Sequence, residues 1–254
     1  MAATVVRTQI VTMTAPYPGP PDSWPGDLRR SGHRHCYHAN VAQTSGATRI
    51  VRPFTKADLR QTCAMMARAF DDDPLMMWIF PDEQLRRRRL PGFFAASMRG
   101  TGLRHEGTEV LVCEGTIAGC ATWLPPQAWL PPAWRQVASL PGYLRALGSR
   151  FAVAGETYGA LLRAHPQQPH YYLAGIGTDP PLQGTGIGSA LMQSRLTRCD
   201  ASGMPAYLES SKVSNVPFYE RHGFTVTGEL RIPDRGPLLW LMWRDPQPVG
   251  SACG

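Results

Sequence analysis

An α/β (α+β) fold, with strands and helices alternating around one sheet, is the class this sequence predicts, on three observations. Strand-like apolar runs and segments of helical period follow one another from Arg49 to Trp243. The turn Glu114-Gly115-Thr116 sits between two such runs, as in an antiparallel hairpin. Tyr171 to Thr178 reads as a buried strand and leads through a glycine cluster into a long helix.

Residues 1–48 stand apart as a flexible or irregular extension. Pro16, Pro18, Pro20, Pro21 and Pro25 interrupt them, and no period of 2 or 3.6 persists. Their His33-Arg34-His35-Cys36-Tyr37-His38 tract gathers three imidazoles and a thiol, yet lacks the two separated ligand groups of a structural metal site. The ordered domain spans residues 49–246, with a short tail over 247–254. Arg49 to Arg52 is a first strand ended by Pro53. Asp58 to Phe70 is a helix, with Leu59, Cys63, Met66 and Phe70 at helical spacing, stopped by Asp71-Asp72-Asp73-Pro74. Glu83 to about Arg104 is mostly helical, with Pro91 starting, kinking or dividing it. Its run Arg86 to Arg89 is expected on a face turned to water.

Glu109 to Cys113 and Ile117 to Leu124 form the hairpin. Pro125 to Trp134, rich in proline and tryptophan, either shapes an acceptor pocket or packs as an apolar lid, and helical segments follow to about Ala164. After the strand Tyr171–Thr178, residues 183–188 open a helix reaching about Ser202. Pro205 to Glu209 is a strand, and Val216 to His222 a short helix ended by Gly223. Phe224 to Leu230 and Leu238 to Trp243 are the last strands.

Hydrophobic residues at 43% and charged residues at 18% are globular proportions and argue against disorder. The net charge of +7 comes almost wholly from arginine, since Lys56 and Lys212 are the two lysines. No tract interleaves aromatic and basic residues as a nucleic-acid groove would, so no nucleic-acid partner is expected. No apolar run reaches the roughly 18–20 residues that span a bilayer. Arg7 and Gln9 break any signal-peptide core. Cysteines 36, 63, 113, 120, 199 and 253 form no CxxC pair. A cytoplasmic protein with reduced thiols, no membrane partner and no metal is the expectation, as a monomer or a homodimer.

The segment Ile176-Gly177-Thr178-Asp179-Pro180-Pro181-Leu182-Gln183-Gly184-Thr185-Gly186-Ile187-Gly188-Ser189 carries the most chemistry. The first four N–H groups of a helix lack internal partners and bear partial positive charge. Glycines at 184, 186 and 188 remove side chains, so an anion can approach those groups. A Walker loop needs a Lys-Ser or Lys-Thr pair, whereas Ser189-Ala190 follows Gly188. The spacing of the glycines also departs from the GxGxxG of dinucleotide sites.

Gln183-Gly184-Thr185-Gly186-Ile187-Gly188 matches Q-x-x-G-x-G. Asn215-Val216-Pro217-Phe218-Tyr219-Glu220-Arg221-His222-Gly223-Phe224 matches N-x-x-F-Y-x-x-x-G-F. On these two motifs residues 170–230 resemble the GCN5-related N-acetyltransferase (GNAT) superfamily. Tyr172-Leu173-Ala174, Leu208-Glu209-Ser210 and Pro217 to Arg221 bring them nearest to the puromycin N-acetyltransferase branch. The resemblance implies the GNAT fold: a mixed, mostly antiparallel central sheet of about seven strands, flanked by helices, whose fourth and fifth strands splay apart. Here those strands are Tyr171–Thr178 and Ala206–Ser210.

The resemblance further implies acetyl-CoA as cosubstrate and a small-molecule primary amine as acceptor, with puromycin and antibiotic resistance as one case. Ile176, Gly177 and Thr178 would bind the pantetheine arm, and Gln183, Gly184, Thr185, Gly186, Ile187, Gly188 and Ser189 the pyrophosphate. Asn215 would cap the short helix and reach the arm. Tyr219, a turn beyond Asn215, would protonate the departing thiolate. Three roles stand open for Glu209: general base, anchor for a cationic acceptor, or plain strand-end charge. Asp71 to Asp73 would border the acceptor site or merely stop a helix. A protein or peptide amine as acceptor, and an acyl-CoA sensor without turnover, are the alternatives to a small-molecule enzyme.

Overall fold

The computed structural model describes residues 41–44, 47–102, 107–126 and 129–248. Most of the expected N-terminal extension, with its His33–His38 tract, and the end of the tail lie outside these residues. Eight strands form one sheet in the order β1-β2-β3-β4-β5-β6-β8-β7. They are β1 (Val41–Thr44), β2 (Ala47–Pro53), β3 (Thr108–Cys113), β4 (Thr116–Leu124), β5 (Tyr171–Thr178), β6 (Ala206–Ser210), β7 (Thr225–Arg231) and β8 (Leu238–Arg244). β1 is one strand more than expected, and its pairing with β2 begins regular structure at Val41, ahead of the Arg49 that the proline-poor pattern suggested.

The β3–β4 hairpin closes through Glu114 and Gly115, both at positive φ (49° and 78°). Cys113 pairs with Thr116 across them. Two positive-φ residues in a two-residue loop make a type I′ turn, whose twist suits the strands it joins. Side chains of β3 alternate between two cores, because successive residues point to opposite faces of a sheet. Leu111 joins Leu191, Met192 and Leu196 of α6 (Ile187–Ala201) on one face. Val110 joins the other face, with Met65 and Met66 of α1 (Leu59–Ala69) and Leu90 and Phe94 of α3 (Glu83–Ser97). Each such buried aliphatic side chain stabilises the fold by about 1.5–3 kcal/mol.

The structure refines three expectations. The triple aspartate stops α1 and at once begins another helix, α2 (Pro74–Ile79). Asp73 caps it, accepting from the amides of Leu75 and Met76, with Pro74 at the first turn. In the run Arg86 to Arg89, Arg87 and Arg88 do face water, but Arg86 is buried, donating to the Phe80 carbonyl at 3.0 Å and reaching Asp71. Of the effects open to Pro91, it neither starts nor divides the helix, since α3 runs from Glu83 through it to Ser97 and passes into a wider helical turn over Met98–Gly102. α4 (Ala133–Leu147) and α5 (Phe151–Ala164) complete the approach to β5.

Candidate active site

β5 and β6 run parallel yet pair at only two positions, Tyr171 with Ala206 and Tyr172 with Tyr207. Beyond Tyr172 the two strands part. β5 stays bonded to β4 and β6 to β8, so the edges facing each other between them are left without ladder partners. β5 is accordingly half open, with Ala174 exposed, rather than the buried strand its apolar composition suggested. Ala174 is also the extra residue of a bulge, because Thr122 pairs with Gly175 while Trp123 pairs with Leu173. Ligands of open sheets bind outside the carboxyl ends of such diverging strands.

The loop after β5 lies at that carboxyl end. Gly184 and Gly186 adopt positive φ (76° and 87°), and a Cβ at either would meet nothing within 4 Å. Gly186 is the N-cap of α6. The amides from Gly184 to Ser189 have no backbone acceptor among the described residues; the first helical bond runs from the Ala190 amide to Gly186. Gln183, Thr185 and Ser189 are exposed beside them, while Ile187 is buried as the first core residue of the helix. Two remaining glycines serve packing. A Cβ on Gly177 would come within 2.8 Å of the Met66 sulfur of α1, and one on Gly188 within 3.3 Å of the Phe218 ring. Neighbouring elements hold the loop in place. Arg68 of α1 grips Asp179 through two hydrogen bonds (2.9 and 2.7 Å), and Arg49 of β2 donates to the Thr185 carbonyl at 2.7 Å.

After β6 the chain enters α7 (Val216–Glu220). Asn215 takes the N-cap position with its side chain exposed and making no capping bond, contrary to the capping expected of it, because its backbone is already helical. Tyr219 is buried and packs edge-on against both Phe218 and Phe224. Burial, reinforced by the charge of Asp73, pushes its phenol well above the usual tyrosine range. His222, at the end of the same turn, places Nε2 3.3 Å from the Ser189 hydroxyl, so α7 meets the glycine loop directly. Burial first, then Arg221 and Arg244, lowers the pKa of this imidazole.

The aspartates are spoken for. Asp71 pairs with Arg86 and Arg87, and Asp72 with Lys212. Asp73 is buried and accepts the Ser211 hydroxyl, and its burial holds the carboxyl above the usual range. These bonds tie the α1–α2 junction to the segment that follows β6. Cys199 is fully buried in the core, and burial pushes its thiol up to about 12.

Glu209 lies on the diverging part of β6, its side chain nearly enclosed. Its Oε1 has no hydrogen-bond partner and stands 3.8 Å from His165 Nδ1. His165 in turn faces His170, with Trp129 stacked on it at 3.7 Å. Trp129 therefore brings part of the proline- and tryptophan-rich stretch against this cluster. The two histidines and His222 escaped the sequence reading. Their signal was faint: for His165 and His170, two imidazoles five residues apart, enclosing Pro166 and Pro169, immediately before a strand.

Among the described residues no group of His, Cys, Asp and Glu could hold a metal ion, and no helix is long and apolar enough to cross a membrane. Residues 138–251 match the family model of the acetyltransferase (GNAT) domain. An N-acetyltransferase of Schizosaccharomyces pombe is 25% identical over 209 residues, covering 77% of this chain and 83% of that protein. The crystal structure of a histone acetyltransferase and related acetyltransferase from Corynebacterium glutamicum is 26% identical, with a TM-score of 0.59 over 79% of this chain and 98% of that one. An N-acetyltransferase from Staphylococcus aureus, 16% identical, shares the fold at a TM-score of 0.55, covering 76% of this chain and 98% of its own. With the parted strand pair and the open glycine loop already in place, these matches show an acyl-CoA-dependent acetyltransferase whose residues 138–251 are similar to the GNAT domain.

Proposed function

We propose that the enzyme moves an acetyl group from acetyl-CoA to a primary amine of a small molecule, by direct attack of the amine. The observation that carries this reading is the parted pair β5/β6, with the unbonded amides of residues 184–189 at its end. The fit to the cosubstrate is physical. Two exposed glycines at positive φ leave room for a diphosphate, and a helix N-terminus supplies amides and partial positive charge. Gln183, Gly184, Thr185, Gly186, Ile187, Gly188 and Ser189 hold that diphosphate. The open edge of β5 at Ile176, Gly177 and Thr178 accepts the pantetheine arm as a borrowed strand, and the exposed Asn215 amide reaches the same arm. When bound, acetyl-CoA supplies an activated thioester.

The chain's own groups do the rest. Tyr219 is protonated at every physiological pH, since burial disfavours its phenolate, and it donates its proton to the leaving sulfur. Glu209 accepts the amine proton. A backbone N–H of β5 near Ile176 steadies the developing oxyanion. The nearness to the puromycin branch favours a primary amine on a small aminonucleoside or aminoacylated compound. A protein or peptide amine is the second reading, favoured by the histone acetyltransferase label of the Corynebacterium glutamicum relative.

Calorimetry with CoA and thiol release from acetyl-CoA with a panel of amines, puromycin and a basic peptide among them, test the proposal. Heat with CoA and turnover on a small primary amine are expected. CoA binding without turnover on any amine would make the protein a sensor, and turnover on the peptide alone would transfer the acceptor to the second reading.

A further inference from the structure

Glu209 is joined to two histidines through a chain of ring nitrogens whose protons the geometry assigns. His170 Nδ1 lies 2.6 Å from the carbonyl oxygen of Gln168. A carbonyl only accepts, so Nδ1 carries the hydrogen, and a neutral His170 presents a lone pair at Nε2. That lone pair faces His165 Nε2 at 3.1 Å, so His165 must carry its hydrogen there. Its other nitrogen, Nδ1, then offers a lone pair toward Glu209 Oε1 at 3.8 Å, and that oxygen has no donor of its own. Two acceptors thus confront each other in a closed space, and both rings and the carboxylate are more than nine-tenths buried. One proton placed between them would satisfy both at once. Leaving such groups unsatisfied in a low-dielectric site is costly.

We propose that His165 and Glu209 form a proton-holding pair, set in one tautomeric state by His170, and that the proton lost by the acceptor amine comes to rest between them. The inference deepens the proposed function and rests on Glu209 acting there as base. The bond that breaks is an N–H of the acceptor ammonium, whose electron pair stays on nitrogen as the nucleophile. The bond that forms is O–H on Glu209, and its hydrogen is then shared with His165 Nδ1. The pair returns the proton to water after product leaves. Sharing draws the two atoms from 3.8 Å toward a hydrogen-bond distance of about 2.7 Å. His165 touches no reacting atom. It is a positioning residue whose Nδ1 faces the Glu209 carboxyl and takes a share of its hydrogen.

The surroundings support a site built to keep that proton in. Trp129 stacks on the His165 ring, while Tyr172 and Tyr207 meet it edge-on. His170 packs against Trp243. The titratable groups facing the pair are Tyr172 of β5, Tyr207 of β6 and His170 of the loop before β5, with Tyr158 of α5 acting on Tyr172. Burial, then the charge of Glu209 and hydrogen bonding to its carboxylate, raises the phenols of Tyr172 and Tyr207, so both stay protonated beside it and neither takes up the proton. Burial lowers the pKa of His170, which keeps it the neutral partner that fixes the His165 tautomer.

The test is nitrogen-15 NMR of the histidine-labelled full chain against pH, alongside kinetics of His165→Gln and His165→Asn. The expected result is the Nδ1–H form at His170 and the Nε2–H form at His165 near neutral pH. Glu209→Gln should change the nitrogen-15 shift of His165 Nδ1, whose carboxyl partner it removes. His165→Gln should lower kcat/KM on the order of a hundredfold and reshape the acidic limb of its pH profile, with CoA affinity unchanged. Finding the Nδ1–H form at His165 in the wild type, or a wild-type pH profile in an active His165→Gln or His165→Asn, overturns the proposal. The expected tautomers with no turnover on any amine would instead remove the reading of Glu209 as base and leave the proton pair standing.

Discussion

Ser211 donates its hydroxyl to the Asp73 carboxylate, joining the loop after β6 to the cap of α2 across 138 positions of sequence. The same carboxylate accepts from the amides of Leu75 and Met76. Asp73→Ala removes a helix cap and a buried cross-link together, at a cost of about 2 kcal/mol. Thermal unfolding should show a midpoint lower by about 4–8 °C, and Ser211→Ala should show a smaller fall in the same direction.

The arginine at position 52 makes a second acidic residue sensitive to pH. Its guanidinium, bonding both oxygens of Asp58 at 2.7 Å, holds that carboxyl at about 2, below its ordinary 3.8. A folded-state pKa that is depressed gives stability that is present above the unfolded value and lost as pH falls through the folded one. Acid unfolding followed by circular dichroism should therefore lose a contribution between 3.8 and about 2. In Arg52→Met the acid midpoint should move to higher pH, and neutral-pH stability should fall by about 1 kcal/mol, a value held down by partial exposure of the arginine.

Gly186 combines positive φ with open space on the side where the cosubstrate is proposed to sit. Gly186→Ala adds strain of about 1–2 kcal/mol and places a methyl in the cradle. Gly203 also has positive φ (62°) with nothing within 4 Å, but lies at the far end of α6. The two alanine variants should lose similar stability in denaturant titration. Calorimetry should show CoA affinity weakened about tenfold or more in Gly186→Ala only, and equal affinity in both would argue against the cradle.

For Tyr219→Phe the ring packing against Phe218 and Phe224 survives, so the protein should fold with its melting temperature nearly unchanged. On a turned-over amine, kcat should fall on the order of a hundredfold while the KM for acetyl-CoA stays close to that of the wild type. Equal rates in the two proteins would leave the tyrosine as packing alone.

Cysteine labelling gives a check on the chemistry of transfer. Burial pushes the thiols of Cys63, Cys120 and Cys199 up to about 11, 12 and 12. A thiol-specific reagent on the native protein, mapped by mass spectrometry, should leave these three unmodified until denaturant is added, while the half-buried Cys113 reacts earlier. Rapid labelling of Cys199 in the folded enzyme would point to acyl transfer through sulfur.

Local chemistry made much of this protein legible from its sequence. Period, turn residues and motif spacing act through backbone preferences of a few neighbouring residues, so the β3–β4 hairpin, the glycine loop at the start of α6 and the order of the strands from β2 to β8 could all be read directly. Pairings between distant residues could not. Asp71, Asp72 and Asp73 read as a helix stop and became three separate ties once Arg86, Lys212 and Ser211 were brought to them. Arg86 read as solvated because a charge carries no mark of the carbonyl that will bury it. Glu209 read as base, anchor or plain strand-end charge alike, and only the path of α5 and the following loop delivers His165 and His170 to its side. The sequence by itself determined most of the elements and the glycine-rich turn that opens α6. Tertiary structure alone decided which charges are consumed, because side chains far apart along the chain meet only after the sheet is assembled.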